Sequence, residues 1–271
     1  ASLDDATAAR AEPVRVPLHT AAGEPMPHPL HDESTGHPAP RLTEPLALTG
    51  GTTEWLQAGV TLKAGRYTWV RLKVNAERGV IDSYIDLLDD SRHSLYIPSG
   101  SQTGLKLNRG FDVPEGGMAS FTIDFDLRKS VHKPSGPDED YILRPTLRLV
   151  DDNTAGALTG TVASGVISAN PDDCSGMEYV GAVYVFNSGD AVDDVDGTSD
   201  PVTSAKVPND GNYAYTVAFL PEGDYSIAFT CDADIDDPEK DADADPTDGP
   251  VNFIGETTVT IMAGKTTEHN F

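Results

Sequence analysis

Residues 231–249 read CDADIDDPEKDADADPTDG, a cysteine followed by nine carboxylates between Asp232 and Asp248, with Lys240 the one cation among them. Carboxylates at alternate positions (Asp232, Asp234 and Asp236, then Asp241, Asp243 and Asp245), on a stretch bent by proline and glycine, offer the hard oxygen ligands that Ca2+ accepts. The EF-hand pattern is not met, because Asp237 stands where its glycine belongs. A second acidic stretch, GDAVDDVDGTSDP at 189–201, is a candidate to approach the first in space. The competing reading is a solvated acidic loop with no fixed ligand set, whose surplus charge keeps the protein dispersed. His19, His28, His31 and His37 crowd into one proline-rich segment, and His28, His31 and His37, helped by Asp32 or Glu33, form a candidate transition-metal set. Their spacing matches no zinc finger and no HExxH occurs, so incidental surface histidines are the alternative.

Other chemistry has thinner support. Asp124 and Asp126 in TIDFDL lie two apart on an expected strand, hence on one face, and paired carboxylates can run glycoside hydrolysis. Solvated surface aspartates paired with Arg128, Lys129 or Arg144 give the same pattern. Ser99 in PSGSQTG is outside a GxSxG elbow, and neither GxxxxGK[ST] nor GxGxxG is present. Trp55, Trp69, Tyr84 and Tyr96 make a candidate sugar-stacking platform, with Tyr67 and Trp69 expected on one strand face. Core packing is the alternative use of such aromatics. No residue set demands catalysis, and the chain reads as a non-enzyme.

Cys174 and Cys231 are the only cysteines, each beside acidic residues that raise a thiol's pKa and outside any CxxC context. Paired, they close a loop of 57 positions, stabilise the fold by about 4 kcal/mol and place the protein in an oxidising compartment. Two unrelated buried thiols are the alternative.

These residues must be positioned by strands. TWVRLKVNA (68–76), SYIDLLD (83–89), SFTIDFDL (120–127) and YILRPTLRLV (141–150) alternate or are rich in β-branched and aromatic residues, with turn signals between them. TEWLQAG (53–59) is the one short helical candidate. After the polar joint DDNTAGALTG (151–160), a second strand series runs to the end. In DGNYAYTVAFLPEGDYSIAF (210–229) a strand ends at Leu220, PEG turns the chain, and Tyr225, Ile227 and Phe229 point inward. The expected fold is all-β, with two antiparallel immunoglobulin-like or transthyretin-like sandwich domains at 1–154 and 155–271. A His- and Pro-rich excursion occupies 19–45 of the first. A net charge of -25 disfavours nucleic acid and anionic membranes as partners. No apolar run reaches the ~20 residues of a membrane-spanning helix. No signal-peptide pattern opens the chain, as expected of a mature or trimmed end.

The words PSGSQTGLKL, IDFDLRKSV and YILRPTLRLV resemble a bacterial family, the domain of unknown function numbered 4382, over roughly residues 42–150. That resemblance implies a sandwich fold, an extracytoplasmic location and no established activity. The second half is similar to carboxypeptidase-regulatory-like modules through GALTGTV, GAVYVF and the Leu-Pro-x-Gly-x-Tyr turn. One departure has consequences: the chain opens with ASLDDATAAR, in the middle of the motif that usually supplies the family's first strand. Either residues 1–18 provide this strand in altered register, or a neighbouring copy completes the sheet, which repeated head-to-tail builds a fibre. The expectation is therefore a non-enzymatic structural protein of the bacterial cell surface, self-associating or joined to other surface proteins. The alternative is a monomeric surface-anchored module that binds Ca2+, polysaccharide or a protein. No cofactor is required, Ca2+ being the one candidate.

Overall fold

The computed structural model describes the backbone of 6–11 and residues 50–53, 62–72, 74, 76–81, 83–87, 91–98, 105–107, 109–133, 140–144, 146–170, 174–176, 179–195, 199–233, 235–236 and 251–271. The expected helical turn at 53–59, Ser99, Trp55 and the histidine segment 19–45 lie outside these, apart from Thr53. The chain divides into two compact units, Leu3–Asp151 and Asp152–Phe271. It is all-β.

The first unit is built from β1 (Ala6–Ala11), β2 (Gly65–Tyr67), β3 (Val70–Leu72), β4 (Ser83–Leu87), β5 (Arg92–Tyr96), β6 (Leu105–Leu107), β7 (Phe111–Val113), β8 (Phe121–Asp126), β9 (Val131–His132), β10 (Tyr141–Leu143) and β11 (Thr146–Asp151), with the one-turn helix α1 (Leu127–Ser130) before β9. A five-stranded sheet runs β1-β4-β5-β10-β9, while β11-β8, β2-β7 and β3-β6 form two-stranded pieces. Of the two alternatives for the first strand, the chain's own residues supply it: β1 pairs antiparallel with β4, Ala8 opposite Asp86 and Ala11 opposite Ser83. The pairing is antiparallel as expected, with one parallel pair, β10 beside β5.

Two expected strands are broken. The segment 141–150 divides into β10 and β11 around Arg144 and Pro145, whose ring nitrogen has no hydrogen to give a ladder. The break is held by fully buried Ser130, whose carbonyl accepts the Arg144 N–H and whose Oγ accepts the Thr146 N–H, both at 2.8 Å. Among its described residues the segment 68–76 gives only β3, and the alternation slips between β2 and β3. Tyr67, Val70 and Leu72 point into the core, so Trp69 points away from it. Tyr67 stacks on Phe111 with centroids 5.1 Å apart, and Phe111 packs on Phe121, tying three sheet pieces to one core with Ile85, Leu95 and Leu149.

The second unit comprises β12 (Ala155–Thr161), α2 (Ser164–Ala169), β13 (Tyr179–Asn187), β14 (Thr203–Pro208), β15 (Ala214–Pro221), β16 (Gly223–Thr230), β17 (Phe253–Ile261) and β18 (Thr266–Glu268). A three-stranded sheet β15-β12-β18 faces a four-stranded sheet β14-β13-β16-β17. Leu158, Tyr215 and Val217 of the first meet Val183, Ile227 and Phe229 of the second in a shared core. Here too one pair is parallel, β12 with β18. The chain turns within the predicted Pro-Glu-Gly, although β15 runs one residue past the expected end at Leu220, to Pro221, and Tyr225, Ile227 and Phe229 are all buried. Beyond β18 the chain keeps its place beside β12: His269 N–H donates to Thr159 O and Phe271 N–H to Thr161 O. The Phe271 ring then packs on Phe229 and Tyr215. Burial pushes the Tyr215 hydroxyl's pKa up, keeping it a neutral donor to the His269 carbonyl.

Candidate functional site: acidic loops over a doubly buried strand

The strand β13 reads YVGAVYVFN, and seven consecutive residues, Val180–Phe186, are buried. A strand buried on one face alternates; a continuous run needs cover on both. Val183 and Val185 face the core between the two sheets. Ala182, Tyr184 and Phe186 face the other way, into a smaller apolar cluster with Val195, Ala233 and Phe253. Val195 and Ala233 come from the two acidic stretches. The described parts of those stretches, 189–195 and 232–236 without 234, therefore act as a lid on the outer face of the four-stranded sheet.

Carboxylates fasten the lid. Asp236, 4 % exposed, accepts the Tyr184 hydroxyl on Oδ2 and the Val195 N–H on Oδ1 at 3.1 Å. This single side chain joins the 189–201 stretch to the 231–249 stretch. Asp232, 6 % exposed, accepts the Asn252 N–H at 2.8 Å and its side-chain amide at 3.0 Å, both on Oδ2. Asp232 and Asn252 thus close the stem of the loop between β16 and β17. A turn in which Ile235 and Asp236 donate to the Asp232 carbonyl places Asp236 over Tyr184. These hydrogen bonds satisfy the buried oxygens, which lets Asp236 lie against the Tyr184 ring of that apolar cluster.

Immediately before Asp232, Cys231 is joined to Cys174 in a disulfide. Both cysteines are buried in the shared core. The lid thus hangs from a crosslinked strand end.

The other candidates fall as follows. Asp234, Asp241, Asp243 and Asp245 lie outside the described residues, as do His28, His31 and His37. Among the described residues no group of three His, Cys, Asp or Glu side chains is placed to hold a metal ion. Asp124 takes both Nε (3.2 Å) and Nη2 (2.6 Å) of Arg148, its directly opposite cross-strand partner on β11. The expected partners were Arg128, Lys129 or Arg144, but the register puts Arg148 there. Asp126 Oδ1 accepts the Lys129 N–H at 3.1 Å and caps α1.

The aromatic platform also changes character. Tyr67 is core and does not share a face with Trp69. Trp69 lies under Arg71 (5.1 Å), Tyr84 under Arg92 (3.8 Å) and Tyr96 under Arg78 (5.2 Å). Each of these rings carries a guanidinium rather than an open stacking face. Sequence reasoning missed Tyr184, Val195, Asn252 and Arg148. The unbroken apolar run of β13 was the available signal for the first two.

Residues 15–145 match a family described as a domain of unknown function, DUF4382. No curated protein matches the chain. Among solved structures, the chain is similar to GBS52, the minor pilin of the Gram-positive pathogen Streptococcus agalactiae, at 13 % identity and a TM-score of 0.23, covering 67 % of this chain and 66 % of that one. It is also similar to the Bacillus anthracis TIE protein, at 10 % identity and a TM-score of 0.23, covering 76 % of this chain and 36 % of that one. The chain therefore spans just under two thirds of the first and about a third of the second.

Proposed function

We propose that the chain is a non-enzymatic structural protein of the bacterial cell exterior whose copies join into a filament by strand complementation. The observation that carries the assembly is β1. It sits at the end of the five-stranded sheet, and four of its six residues are alanine (Ala6, Ala8, Ala9 and Ala11). Alanine side chains bury little area, so the hold of β1 on β4 rests on backbone ladder hydrogen bonds. An identical strand from a second copy offers the same ladder in the same register. Residues 12–64 separate β1 from β2, and the entropy of closing a long connection grows slowly with its length. In a single chain β1 returns to its own β4; in an assembly the same strand is given to the next copy, head to tail.

The buried disulfide supports an oxidising, extracytoplasmic compartment. The non-enzymatic reading is supported by the use already made of the carboxylates: Asp124 by Arg148, Asp126 by α1, Asp232 and Asp236 by the lid.

Opposed Cα atoms in an antiparallel pair lie about 4.5–5.5 Å apart, within disulfide reach. Chains carrying only Ala8→Cys are mixed with chains carrying only Asp86→Cys, opposite positions on β1 and β4, and oxidised. Covalent heterodimers are expected, with a ladder of higher species from the double variant and fibres in negative stain. Exclusively intramolecular crosslinks, together with monomeric sedimentation, sink the proposal.

A monomeric Ca2+-binding module is the second reading, favoured by the meeting of the two acidic stretches at Asp236 and Val195. It requires a melting temperature that climbs with Ca2+ and falls back with EDTA. An unchanged melt removes it.

A further inference from the structure

Charge is divided unequally between the two units. Leu3–Asp151 holds 16 Lys and Arg against 21 Asp and Glu, a net of -5; Asp152–Phe271 holds 3 against 23, a net of -20. The local arrangement follows suit. In the first unit carboxylates meet cations: Arg66 with Asp112 at 2.7 Å, Arg148 with Asp124 at 2.6 Å and Arg78 with Asp140 at 3.8 Å. In the second, Asp232 accepts from the Asn252 amides, and Asp236 from the Tyr184 hydroxyl and the Val195 N–H. Of its three cations, Lys206 sits over the Tyr179 ring at 3.9 Å. Around the fold, exposed Asp190, Asp200, Glu222, Asp224, Glu256 and Glu268 carry further negative charge.

We infer that the second unit is an ionic-strength-gated fold and the first is not. Self-repulsion disfavours a compact chain of high net charge and grows as the square of that charge, about sixteen-fold larger at -20 than at -5 for units of similar size. A domain of this length has a radius of gyration of about 14 Å. The screening length is about 30 Å at 0.01 M salt and about 3 Å at 1 M. In dilute salt, carboxylates across the whole unit repel one another; in concentrated salt only neighbours do. The acidic lid feels this most, because Asp236 and Asp232 gather charge where Val195 and Ala233 must stay seated on Tyr184 and Phe186. In dilute salt the lid is the part of the fold most loosened. This gating holds whether or not copies assemble.

The test is thermal unfolding of the whole chain by calorimetry from 0.02 to 1 M NaCl, with EDTA throughout so that bound divalent ions play no part. Both tryptophans, Trp55 and Trp69, belong to the first unit, so the transition without a tryptophan fluorescence signal is the second unit's. Its midpoint is expected to rise with salt several times more steeply than that of the tryptophan-reported transition. Salt also strengthens apolar burial, but it does so in both units. The double reversal Glu222→Lys/Glu256→Lys brings the second unit from -20 to -16. It is expected to raise that unit's midpoint in dilute salt and flatten its salt response. Equal slopes for the two units, or a salt response untouched by the reversals, overturn the inference.

Discussion

Reduction of the Cys174–Cys231 disulfide isolates one term in the stability of the second unit. The bond spans 57 positions and encloses β13, β14, β15 and β16, four of the seven strands among the unit's described residues. Crosslinking removes conformations from the unfolded chain, and for a loop of this length the chain-entropy estimate is about 4 kcal/mol. Both sulfurs are buried in the core, at 5 % and 6 % exposure, and two thiols left there remain small apolar groups. Reduction therefore costs little packing, and the loop term dominates. With a urea slope of about 1.5 kcal/mol per M, the second unit's midpoint falls by about 2.5–3 M. Far-UV circular dichroism of oxidised protein and of protein held in reductant reads this change. Tryptophan fluorescence follows the first unit and serves as an internal control. A loss below about 1 kcal/mol refutes the loop-entropy account. A tryptophan transition that moves in step refutes the independence of the two units' unfolding.

Three further outcomes follow from particular contacts. Tyr184→Phe removes a hydrogen bond to a buried carboxylate and is expected to cost about 1.5–3 kcal/mol in the second unit. Protease cutting within 233–251 should rise with it, and unchanged stability and proteolysis would deny that Asp236 fastens the lid. Gly181 has φ +152° at a bulge in β13, and a Cβ there would strike the Thr230 carbonyl and the Phe229 ring. Gly181→Ala is expected to cost about 1–3 kcal/mol or more in urea titration, whereas Gly189→Ala, with open space around it, disturbs only the backbone. Asp210 accepts the Asn212 and Tyr213 N–H groups in the β14–β15 turn, and these bonds hold its carboxyl pKa below the ordinary 3.8. Its contribution is therefore present above 3.8 and lost as pH falls through the lower folded value. The melting-temperature gap between wild type and Asp210→Asn should be constant near neutrality and close below pH 4, and a gap that widens in acid contradicts the sign.

The alternation of apolar residues made the second unit's sheets legible, because Tyr225, Ile227 and Phe229 mark the inward face of β16 and the Pro-Glu-Gly turn marks where the chain crosses from one sheet to the other. Strand breaks in the first unit were harder to read. The division of 141–150 depends on Ser130, fourteen positions before Arg144, whose two hydrogen bonds take the Arg144 and Thr146 N–H groups on either side of the break. The slip between β2 and β3 likewise depends on which of Tyr67, Trp69 and Val70 finds a partner across the core, and Phe111 decides it. Cross-strand register is equally non-local: Arg148, not the nearer Arg128 or Lys129, faces Asp124 because β8 and β11 pair antiparallel with Thr146 opposite Asp126.

The acidic stretches show what placement in the fold adds to composition. Carboxylates at every second position resemble a ligand set when counted along the chain. Placed in the fold, Asp232 points at Asn252 and Asp236 at Tyr184 and Val195, donors brought from strands and loops 20 to 52 positions away. What selects them is the need of β13: a strand with Ala182, Tyr184 and Phe186 on its outer face must be covered, and a cover rich in aspartate stays seated only where its buried carboxylates find donors. Two carboxylates serve as fasteners, leaving the surrounding ones to set the unit's charge. The lid is therefore both the most acidic part of the fold and the part whose seating depends on that charge being screened. Loss of the Tyr184 hydroxyl and dilution of salt should act on the same element, so Tyr184→Phe ought to steepen the salt dependence of the second unit. Strict additivity of the two perturbations would separate the lid from the charge effect.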